Sequence, residues 1–219
     1  MNRPIPSRRE TAHYVDILFY VQLALLILGA VLGLFSGFGA DISGPQNLAD
    51  IVGELAVLYA LYRLAPVEPM LRRAFYAGLG AVVLMILSAV LEAGSANELL
   101  QLILLLVQGV VSLLAVYYEF HGLGLLSLPL EPQQGRLIGV TLADKWASIW
   151  KWYLGLFFVL MGAAVLAFLL PMAAILAAFI SVIGMLVIQI WEARLLYQTA
   201  NALRCAPEIG PFPPSGGPV

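Results

Sequence analysis

Charge is scarce in this sequence, and so are the residues that carry most protein chemistry. Lys, Arg, Asp and Glu together make up 11% of the 219 residues, against about 25% in soluble domains. The formal net charge of -2 gives no electrostatic reason to bind nucleic acid. A lone cysteine, Cys205, excludes an intrachain disulfide and a Cys-rich metal site. The two histidines, His13 and His121, lie far apart in sequence, so no metal site is expected. Walker A, HExxH, GxSxG and CxxCH patterns are all missing. No catalytic residue, no cofactor and no enzymatic activity are therefore expected.

What fills the chain instead is hydrocarbon. Hydrophobic residues make up 62% of it, and the mean hydropathy is +0.94. A soluble fold of this size has too little interior to hide so much apolar surface, so lipid must act as solvent for part of it. A spanning helix needs about 20 mostly apolar residues at about 1.5 Å each. Six stretches qualify or nearly do: 14–38, 48–64, 74–91, 99–120, 148–170 and 172–197. The second is short and carries Asp50 and Glu54.

The last two stretches share an uncharged run from 154 to 191. As one helix it would be about 57 Å long, nearly twice the hydrocarbon thickness. Pro171 sits near its middle and breaks the backbone ladder, which predicts a helical hairpin rather than one kinked helix. The expected fold is an all-α, polytopic membrane bundle of six transmembrane helices arranged as three hairpins. Residues 1–13 would form an N-terminal tail, and 198–219, rich in Pro and Gly near the end, a disordered one. The apolar run 17–35 is too long for a typical signal core, so the first span is expected to be retained.

Six spans put all eleven Lys and Arg residues on one side of the membrane. The other side holds acids alone: Asp41, Asp50, Glu54, Glu92 and Glu98. The positive-inside rule then places both ends in the cytoplasm. Trp146, Trp150, Trp152 and Tyr153 cluster with Lys145 and Lys151 where an interfacial aromatic belt would lie. The long connection 121–147 is apolar enough to rest on the membrane surface, with Thr141 as a candidate cap for the helix that follows.

Three groups of residues carry the functional expectations. Glu54 lies four residues after Asp50, on the same helix face. A carboxylate inside the bilayer is costly and marks a proton or cation site. If the second span starts later, Glu54 sits instead among the outer headgroups. Glu92 would join these two in an outward-facing acidic mouth, or else lie in a plain acidic loop. The fourth span carries a polar stripe at helical spacing: Glu98, Gln101, Gln108, Ser112 and Glu119. Lipid cannot satisfy these groups, so the stripe lines a wet path or forms interhelical hydrogen bonds. Gly29, Gly33 and Gly37 recur every four residues on the first span. That stripe reads first as packing within the chain and second as a homodimer seam.

The expectation is a small multi-pass protein of a membrane, the prokaryotic cytoplasmic membrane first. It would carry a small solute coupled to protons or cations, or act as a channel. The alternative is a non-catalytic accessory, scaffold or sensor subunit. Its partners would be the lipid bilayer, a second copy or another membrane protein subunit, and no nucleic acid.

Overall fold

The computed structural model describes residues 6–37, 43–93, 98–130, 138–166 and 170–205. Among them every regular element is an α-helix: α1 Arg8–Gly37, α2 Ser43–Leu64, α3 Pro69–Ala93, α4 Glu98–Ser127, α5 Ile138–Leu166 and α6 Pro171–Cys205. Five of these, all but α2, are long and apolar enough to cross a membrane. That is compatible with a multi-pass membrane protein.

The sequence writes the helix starts plainly. Ser7 Oγ accepts the Glu10 amide at 3.2 Å, and Glu10 Oε2 accepts the Ser7 amide at 2.8 Å. This reciprocal pair is a capping box. Proline opens both α3 and α6, a first-turn position where its missing N–H leaves nothing unsatisfied. Pro171 therefore begins a helix rather than kinking one, and α5 and α6 pack against each other as separate elements.

The helices form a closed ring. Each packs on its neighbours in chain order, α1 also packs on α6, and α4 touches α6 across the middle. One hydrophobic cluster joins the starts of α1, α3 and α5 to the ends of α2, α4 and α6, through Val15, Leu64, Leu71, Leu123, Trp146 and Leu203 among others. The helices therefore alternate in direction. Every described Lys and Arg lies in the half of its helix nearer this cluster, and we call this the basic end. Away from it, Val83, Val90, Val110, Phe158, Phe179 and Val187 are each more than half exposed, as a lipid-facing surface would be.

Four leucine-on-glycine contacts hold neighbouring helices close. Leu25 of α1 sits over Gly53 of α2, Leu58 of α2 over Gly78 of α3, Leu71 of α3 over Gly122 of α4, and Leu156 of α5 over Gly184 of α6. Each leaves no room for a Cβ, since one built there would meet the leucine at 2.6–2.9 Å. Small residues let helix backbones approach in this way.

The helices overrun the expected spans at the basic end. α1 starts at Arg8, α4 continues through His121 to Ser127, α5 starts at Ile138, and α6 runs to Cys205. Most of the connection expected on the membrane surface is thus helical, and Thr141 lies inside α5 rather than capping it. Trp146 also departs from the interfacial role. It is fully buried, and its Nε1 donates to Thr199 Oγ1 at 3.2 Å. Trp152, by contrast, is largely exposed.

Candidate functional site

Directly above the packed basic end the ring encloses a cavity of about 390 Å³. All six helices line it. α3 contributes only small side chains, Ala74, Gly78 and Ala81, and so leaves the space open. The polar lining comes from the other five: Gln22 of α1, Glu54 of α2, Ser112 and Glu119 of α4, Tyr153 of α5, and Gln189 and Glu192 of α6.

Helical spacing explains why these residues meet. Glu54, Val57, Leu58 and Leu61 share one face of α2, and Ser112, Ala115, Val116 and Glu119 share one face of α4. Gln189 and Glu192 stand three apart on α6, so they point the same way. Leu61, Ala74 and Phe120 belong both to the cavity wall and to the hydrophobic cluster, which makes that cluster the cavity floor. Phe120 packs on Trp146 with ring centres 5.5 Å apart, and it meets Tyr153 edge-on at 6.2 Å. Tyr153 in turn stacks on Trp150 at 6.3 Å and 16°.

The cavity is acidic. Three carboxylates, from Glu54, Glu119 and Glu192, reach it, and no Lys, Arg or His is among its lining residues. Gln22 Nε2 donates to Glu192 Oε2 at 3.3 Å. The nearby cations are engaged elsewhere. Arg63 Nε donates to the Tyr14 hydroxyl at 2.8 Å and lies over that ring. Arg204 pairs with Asp16, and Lys145 Nζ donates to Gln198 Oε1 at 3.5 Å. Among the described residues, no group of three or more His, Cys, Asp or Glu is arranged to hold a metal ion.

The residues singled out in the sequence divide. Glu54, Ser112 and Glu119 line the cavity. Gln101 and Gln108 are half-buried on α4 and do not line it. Asp50, Glu92 and Glu98 are helical, but their side chains lie outside the described residues, so the acidic mouth does too. At Gly29 an added Cβ would meet nothing within 4 Å among the described residues. The surroundings of Gly33 and Gly37 lie outside the described residues. Four lining residues escape the sequence reading: Gln22, Tyr153, Gln189 and Glu192. The signal for three of them is a polar side chain inside an apolar run, and for the Gln189–Glu192 pair also the spacing of three. Glu192 and Arg194 are two apart and poorly placed to pair within one helix, and Glu192 accepts instead from Gln22 of α1.

Compared with protein-family models, with characterised proteins and with solved structures, the chain matches none.

Proposed function

We propose that this chain spans a cytoplasmic membrane six times, with its basic end in the cytoplasm, and moves a small solute coupled to protons or cations through the central cavity. α2 is taken as the sixth span. Its 22 residues are enough to cross about 30 Å of hydrocarbon, and it completes the ring between α1 and α3. The orientation rests on the confinement of Lys and Arg to one end.

One observation carries the transport reading: a polar, acid-lined cavity inside a ring whose outer surface is apolar. Ionisable groups placed there are costly and are retained where they bind or relay charge. A scaffold that binds another protein through its outer surface has no need of them.

The test is flux in proteoliposomes containing the purified chain, with a pH-sensitive dye inside and an imposed proton or Na⁺ gradient. Glu54→Gln, Glu119→Gln and Glu192→Gln should each slow the wild-type flux by tenfold or more. Flux unchanged in all three variants contradicts the proposal and favours the accessory-subunit reading.

A further inference from the structure

We infer that the solute of this cavity is a compact organic cation, an amine or quaternary ammonium, held by Glu119 and Glu192 against the ring of Tyr153. This rests on the cavity being a solute site, as proposed above, and adds the chemical class of the solute.

Charge gives the first reason. Glu119 accepts no hydrogen bond among the described residues, and it stands between helices at the cavity wall. Glu192 has only the neutral Gln22 amide as a donor. Such carboxylates need a compensating cation or a proton, and no lining side chain supplies the cation. While the acids are ionised, an anionic solute would add to the imbalance and a neutral one would leave it.

The arrangement of the acids gives the second. A bound metal ion draws its oxygen ligands to about 2.0–2.6 Å from one point, and among the described residues no three acids are grouped in that way. Their charge is spread around the wall, as suits a cation whose own charge is spread over several carbons. The wall also offers aromatic faces. A cation over a Tyr or Phe ring is attracted by the ring quadrupole. Tyr153 is fixed for that role by its stacking on Trp150 and its edge contact with Phe120. Size gives the third reason. At about 390 Å³ the space is near the lower end of the roughly 300–1,000 Å³ typical of small-molecule sites, so the solute is compact. Ala81 of α3 sets one wall, and a larger side chain there should exclude the bulkier cations first.

Binding to the full chain in lipid nanodiscs tests this directly, by calorimetry with choline, tetraethylammonium, Mg²⁺ and 3,3-dimethyl-1-butanol. The last has choline's shape without its charge. Choline should bind saturably and at least tenfold more tightly than the alcohol or Mg²⁺. Glu119→Gln and Glu192→Gln should each weaken it tenfold or more. Glu192→Gln keeps an acceptor for Gln22, so an unchanged melting temperature and elution profile separate lost binding from lost fold. Ala81→Leu should weaken tetraethylammonium more than choline. Equal binding of choline and the alcohol, or tighter binding of Mg²⁺, overturns the inference. So does an absence of choline binding in a protein that still shows carboxylate-dependent proton flux, and that result leaves the transport proposal standing. Absence of both binding and flux overturns the two together.

Discussion

A methyl group added at position 122 would land 2.6 Å from Leu71 Cδ2 and 3.0 Å from the Leu71 backbone nitrogen. The side chain has no free space to retreat into, because Leu71 is fully buried, and the backbone belongs to the first turn of α3. Overpacking of this kind costs about 1–3 kcal/mol, and that outweighs the gain of up to about 1 kcal/mol from replacing a helical glycine by alanine. Gly122→Ala should therefore lower the thermal melting temperature in detergent, whereas Gly29→Ala, with nothing within 4 Å, should leave it unchanged or raise it. Equal effects at the two positions would contradict this packing. Trp146 gives a second case. Trp146→Phe removes the bond to buried Thr199 and leaves a hydroxyl without its partner, a loss of about 1–3 kcal/mol. Thr199→Val in the same background should recover part of it, as read by the same melts.

These residues also show what a sequence can reveal at this scale. Glu54, Ser112 and Glu119 stood out as polar side chains in apolar helices, and all three line the cavity. Gly122 and Gly124 were misleading. Their low helix propensity suggests a loop, but close packing against Leu71 and Trp146 overrides it. Gly29, Gly33 and Gly37 had the regular spacing, yet the close contacts described fall at Gly53, Gly78, Gly122 and Gly184. Spacing shows which residues share a face, not which face meets a neighbour.

At the scale of elements, the packing of α1 on α6 closes the six helices into a ring. Three ties run along this seam at successive turns of α1. Asp16 pairs with Arg204, Phe19 meets Tyr197 with ring centres 5.8 Å apart, and Gln22 bonds Glu192. The residue order on α6 is reversed, as antiparallel packing requires. This seam was illegible in sequence because its partners are more than 160 positions apart. Six apolar stretches and an all-cation side predict alternating helices, but not which of them share the seam. The outermost tie should contribute little, since Arg204 is half-exposed and such pairs are worth about 0–1 kcal/mol. A double-mutant cycle of Asp16→Asn and Arg204→Gln, read by unfolding in a denaturing detergent, should give a coupling of that size that shrinks with added salt. A coupling above about 3 kcal/mol, as found for buried pairs whose partner is removed, would place the seam in a far drier setting than its exposure indicates.

For the whole molecule, the distribution of packing is as telling as the cavity. The basic end is solid: Trp146, Leu64, Leu71, Leu123, Ile149 and Leu195 are all buried there. The polar chamber begins immediately above Phe120 and Leu61. A ring packed solid at one end and hollow beyond it predicts access to the chamber from the side away from the cations. Thiol labelling reads that asymmetry. Cys205 is exposed at the end of α6 and marks the basic side, while Ser112→Cys in a Cys205→Ser background places a thiol on the cavity wall. In sealed vesicles of known orientation, a membrane-impermeant methanethiosulfonate should reach Cys205 from the basic side alone. It should reach the cysteine at position 112 from the opposite side alone. Labelling at position 112 from the basic side, or none from either, would contradict a water-filled chamber closed by that packing.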